Sequence, residues 1–76
     1  MALIANIEKH EVESPRVHDS LNCTYSVFTS TEGQKYLQLN TFGSPVRQNP
    51  GKQSQTMQLN ETAAKQLVKI LVQEFF

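Results

Sequence analysis

The sequence has no tryptophan, one cysteine, three prolines and three glycines among 76 residues, with no excess of either charge. Each shortage excludes something. A lone Cys23 rules out an internal disulfide framework, and its alternating apolar surroundings predict a buried thiol. Seven basic residues cancel seven acidic ones, which excludes a polybasic arm and an acidic tail. No apolar run approaches the length that crosses a membrane. Ala2-Leu3-Ile4-Ala5 is too short for a signal-peptide core and follows no basic stretch, so a cytoplasmic protein with no membrane partner is expected. His10 and His18 are the only imidazoles, eight residues apart across Ser14-Pro15. Zinc sites draw on three or four clustered ligands, so neither a metal nor another cofactor is expected.

What the chain does have is uncharged polarity: eight Gln and five Asn, with many Ser and Thr. Its length suits one small domain, residues 1–76. A chain this short buries only about 60% of its unfolded surface, which invites a second subunit. Residues 1–13, apolar and then alternately charged, suggest a first strand, and Ser14-Pro15 breaks it, with Ser14 expected to be extended. Residues 21–30 alternate with Leu21, Cys23, Tyr25 and Val27 on one face, and 35–42 alternate with Leu37, Leu39 and Thr41. Thr31-Glu32-Gly33 between them predicts an antiparallel hairpin. Gly43 to Lys52 reads as a loop with a turn at Pro50-Gly51, and 53–59 as a fourth, more polar strand.

The end predicts a helix over 61–76, with Asn60 as N-cap and Glu61 in the first turn. At 100° per residue its apolar positions cover roughly 200° of the circumference, more than one small sheet can bury. Leu67, Ile70, Leu71, Val72 and Phe75 are therefore the expected interface of a homodimer. The fold class is α+β: a four-stranded antiparallel sheet with one C-terminal helix packed on one face.

A catalytic reading finds no inventory. There is no Gly-rich phosphate loop, no nucleophile–histidine–carboxylate set and no metal cluster, so a non-enzyme is expected. Charge distribution says more. Residues 1–32 hold Lys9 and Arg16 against Glu8, Glu11, Glu13, Asp19 and Glu32, a net −3, while 33–60 hold Lys35, Arg47 and Lys52 with no acid, a net +3. If the leucines point to the helix, then Phe28, Tyr36 and Phe42 point away from it, among Gln38, Asn40 and other hydrogen-bonding residues. Rings that stack on bases, amides that meet base edges and cations that meet phosphates suit single-stranded nucleic acid. The candidate binding set is Phe28, Lys35, Tyr36, Gln38, Asn40, Phe42, Arg47 and Lys52. The same aromatics also suit a protein interface, as in a small protein-binding module or regulatory subunit with a strand edge offered to a partner.

The run Arg47-Gln48-Asn49-Pro50-Gly51-Lys52, a following strand and the helix-opening Leu59-Asn60-Glu61 resemble the single-stranded-DNA-binding domain of the transcriptional positive cofactor four family. The resemblance covers residues 20–72. It implies a curved four-stranded antiparallel sheet, a C-terminal helix that mediates dimerisation, and a nucleic-acid role for Arg47 and Lys52, with DNA ahead of RNA. The chain departs from that pattern in lacking the helix Trp and in having first strands that are not basic. The stretch from Thr41-Phe42-Gly43-Ser44 to Lys52-Gln53-Ser54-Gln55 is also similar to short bacterial proteins of unknown function.

Overall fold

A computed structural model of the chain describes residues 1–43 and 53–76. The expected Pro50-Gly51 turn, together with Arg47 and Lys52, lies outside the described residues.

The hairpin forms the centre of the fold. Strand β1 is Ala2–Ile4, β2 is Cys23–Thr29, β3 is Lys35–Phe42 and β4 is Gln53–Leu59. β2 and β3 pair antiparallel with Val27 opposite Leu37 and Tyr25 opposite Leu39. Their connection is Thr31-Glu32-Gly33. The Gly33 N–H donates to the Ser30 carbonyl at 2.9 Å, and the Ser30 N–H donates to the Gln34 carbonyl at 2.7 Å. Gly33 sits at φ +86°, the left-handed residue that closes a three-residue hairpin loop.

β4 pairs antiparallel with β3, placing Leu59 opposite Leu37 and Met57 opposite Leu39, with an irregularity at Thr41/Phe42. β1 lies on the other side of β4 and runs parallel to it, with Ile4 beside Leu59. The sheet order is thus β1-β4-β3-β2. The sheet is mixed, which corrects the expectation of a purely antiparallel one. The chain leaves β1 at one edge and enters β2 at the opposite edge, so β1 meets the last strand rather than the next one.

The first strand is also shorter than residues 1–13 suggested. Residues 5–22 form no strand or helix, and Glu8, Lys9, His10 and Glu11 are exposed there. Ser14 takes a left-handed φ of 52° instead of the extended geometry expected before Pro15. The segment is nevertheless tied down near its start. Gln66 Oε1 accepts the Ile7 N–H at 2.8 Å, and Gln66 Nε2 donates to Asn6 Oδ1 at 3.0 Å. The Asn60 N–H donates to the Ile4 carbonyl at 3.3 Å.

A single residue separates β4 from helix α1, Glu61–Phe75. Asn60 has extended φ and ψ of −78° and 177°, and its Oδ1 accepts the Ala63 N–H at 2.9 Å. That bond satisfies one of the orphan donors at the helix start. So short a connection folds α1 back over the sheet, and contact is made through β3 and β4. Ala63 and Leu59, 0% and 3% exposed, are the only fully buried hydrophobic residues among those described.

Candidate functional site

Strand alternation and the two ladders divide the sheet into two faces. Ile4, Leu59, Met57, Leu37, Leu39 and Val27 share the face under α1. The open face carries Phe28 opposite Tyr36, Ser26 opposite Gln38 and Thr24 opposite Asn40, continued on β4 by Gln58 and Thr56. The expected aromatic candidates Phe28 and Tyr36 therefore come together, with ring centroids 5.6 Å apart and planes 29° from parallel. Phe28 retains 39% of its exposure.

Next to this pair stands a ladder of amides. Gln58 Nε2 donates to Gln38 Oε1 at 3.0 Å, and Gln38 Nε2 donates to Asn40 Oδ1 at 3.1 Å. Thr56 Oγ1 donates to the same Asn40 oxygen at 3.2 Å. These bonds fix the side-chain directions of Gln38 and Asn40 across two strands. Gln58 and Thr56 belong to the site as much as the β3 residues do. The signal that finds them is the parity of β4, read in register with β3. Phe42 follows Asn40 by two residues and so falls on the same side, at the end of β3 that leads into residues 44–52. From Tyr36 to Phe42 the strand spans about 20 Å at 3.4 Å per residue.

Lys35 is not part of this face. It pairs with Thr29 and shares the parity of Leu37, so it stands on the helix side at the first position of β3. It belongs to the positive zone of residues 33–60 by sequence, but strand alternation separates it from the aromatics. Among the described strand residues Lys35 is the only charged one, so the open face is uncharged as far as it is described. Arg47 and Lys52 lie outside the described residues.

The helix side is unevenly covered. Gln66 reaches toward the N-terminal segment, whereas Ala64, two positions away on the opposite flank of α1, lines an open apolar groove with Val27, Leu37 and Leu59. Beyond that groove Tyr25, Val27 and Leu21 remain 74%, 52% and 46% exposed. Cys23 is exposed as well, which corrects the expectation of a buried thiol: it faces the helix side, but α1 does not extend over β2. Of the expected interface residues, Ile70, Leu71, Val72 and Phe75 are exposed and Leu67 is half-buried.

Among the described residues no group of three or more His, Cys, Asp or Glu comes together to hold a metal, and no helix is long and apolar enough to cross a membrane. No family model, curated protein or solved structure matches the chain.

Proposed function

We propose that the chain is a non-catalytic protein that binds single-stranded nucleic acid on the open face of its sheet and works as a homodimer. The observation that carries this reading is the stacked Phe28–Tyr36 pair at the head of an uncharged amide ladder. A stacking surface followed by aligned amides suits unpaired bases, whose faces and edges are both accessible. Duplex bases, already stacked on one another, have no free faces and show only their groove edges. Arg47 and Lys52, next in sequence to the Phe42 end of the face, supply the phosphate contacts in this reading. The resemblance to the transcriptional positive cofactor four family puts DNA ahead of RNA. The dimer is supported by the exposed apolar flank of α1, with Leu71, Val72 and Phe75 at 40%, 55% and 75%.

The test is fluorescence anisotropy of a labelled single strand and of its duplex at several salt concentrations. Tyr36→Ala and Phe42→Ala should each cost about 1–3 kcal/mol, roughly five- to 150-fold in Kd, with little change in salt dependence. Lys52→Ala should weaken binding to every sequence and flatten the salt slope by about 0.7. Lys35→Ala, on the other side of the sheet, should do much less. Full binding by both ring variants, or none by the wild type at low salt, would remove this face and leave the protein-binding module as the reading.

A further inference from the structure

β2 is the end strand of the sheet, and its outer edge faces no other strand among the described residues. Its sequence, Cys-Thr-Tyr-Ser-Val-Phe-Thr, contains no charge and no proline, and all seven residues are exposed. Natural edge strands are normally blunted by lysine, proline, a bulge or a covering loop, because a bare edge is a template for another strand. None of the first three devices occurs in β2, whose ladder with β3 runs regularly from Cys23 to Thr29.

The hydrogen-bond pattern tells which groups that edge offers. The Phe42 N–H donates to the Asn22 carbonyl, and the Ser30 N–H donates to the Gln34 carbonyl. In an antiparallel ladder the bonded pairs alternate, so Thr24, Ser26 and Phe28 share this inward parity. Cys23, Tyr25, Val27 and Thr29 then direct their N–H and C=O groups outward. We propose that a second copy of the chain pairs with this edge, β2 to β2 antiparallel, about a two-fold axis through Ser26.

That register is set by the strand itself. Centring on Ser26 places Tyr25 against Val27 of the second copy, and Cys23 against Thr29, so all four outward residues meet outward residues. Four bonded pairs exchanging two bonds each give eight hydrogen bonds. A shift by two residues in either direction loses one of the four pairs. On the helix side the pairs at the seam are Tyr25 with Val27 and Val27 with Tyr25, an aromatic with a β-branched residue, a favoured cross-strand combination. No charge opposes another across the seam, and an isologous contact of this kind closes on itself as a dimer.

The chain also has apolar surface left to cover. The chain exposes 6828 Å², whereas a compact monomer of 8.6 kDa exposes about 4,700 Å². Residues 5–22, which form no strand or helix, the exposed helix side of β2 and the apolar flank of α1 are all part of that surface. Pairing at β2 also puts both helices on one side of a common eight-stranded sheet. Each turns the Ala64 flank toward the seam, and the two open faces become continuous.

This inference deepens the dimer reading by naming where the second copy attaches, and it is independent of nucleic-acid binding. Hydrogen exchange is followed in wild-type protein at a concentration where sedimentation gives twice the chain mass. The outward amides of Tyr25 and Val27 should exchange at least about ten-fold more slowly than unpaired amides. In a Cys23→Ser background, Ser26→Cys should oxidise to a covalent dimer. Non-bonded antiparallel partners lie about 4.5 Å apart at Cα, within the range a disulfide spans. Thr24→Cys in the same background should not cross-link, because it faces Phe28 of the second copy. Val27→Pro removes one outward N–H and no bond to β3, so it should weaken the dimer and leave the β2–β3 amides protected. A dimer with fast-exchanging Tyr25 and Val27 amides and no Ser26→Cys cross-link would overturn edge pairing and leave the helix flank as the interface. A monomer at high concentration would overturn edge pairing and the dimer reading together.

Discussion

Leu59 is where the fold concentrates its stability, and Leu59→Ala is the substitution that measures it. Its backbone lies between Ile4 of β1 and Leu37 of β3, and the next residue caps α1. At 3% exposure it is one of only two fully buried hydrophobic residues among those described. Leu→Ala in a core costs about 2–5 kcal/mol, and the cost grows with the cavity left behind. Here the side chain borders the open groove lined by Val27, Leu37 and Ala64, so water or side-chain movement fills part of the vacancy. The expected loss is therefore at the low end, about 2–3 kcal/mol. A 76-residue domain holds about 4–11 kcal/mol in total at typical stability per residue. Thermal denaturation by circular dichroism, at one fixed protein concentration because association raises Tm, should show a fall of about 8–24 °C at 4–8 °C per kcal/mol. A fall of less than about 4 °C would mean that the core lies elsewhere and that the helix is held by other contacts. Loss of the full upper value, about 5 kcal/mol, would mean that the groove is closed in solution.

Two further substitutions test local geometry. Asn60→Ala removes the acceptor for the Ala63 N–H and should cost about 1 kcal/mol, while Asn60→Asp should keep most of it; an unchanged Tm for the alanine variant would show that the helix start is satisfied by another group. Gly33→Ala meets no atom within 4 Å, so any cost it shows reports the φ of +86° alone, about 1–2 kcal/mol by denaturant midpoint; a neutral result would mean that the turn has a different backbone.

The parts of the fold that could be read from the sequence were those whose information is local. β3 and β4 occupy the residues whose side chains alternate, 35–42 and 53–59, and α1 starts one residue after a capping Asn. The aromatic pair followed from parity once the hairpin was in register. What could not be read depends on distant partners. β1 is only three residues long and pairs with a strand about 55 residues away, so the alternation in 7–13 could not reveal where pairing stops. Its parallel direction is a property of the path, not of Ala2-Leu3-Ile4. Cys23 has a buried strand's pattern, but its exposure depends on how far α1 reaches across β2. Lys35 adjoins the aromatics in sequence, but only its pairing in the ladder reveals that it shares the parity of Leu37.

The clip between Gln66 and the Asn6–Ile7 backbone and side chain has a consequence for the order of assembly. The β2–β3 hairpin closes a three-residue loop, whereas Ala2 must find Met57 across 55 positions. Loop-closure entropy makes the second event about 2.5 kcal/mol less favourable than the first. Moreover, the groups that receive residues 2–7 exist only after β4 is aligned and the first two turns of α1 have wound. During synthesis β1 emerges before every element it needs, and it waits unpaired until the last of them is complete. Its docking is therefore a late event, and the protection of the Ile7 amide records the moment at which the sheet gains its fourth strand.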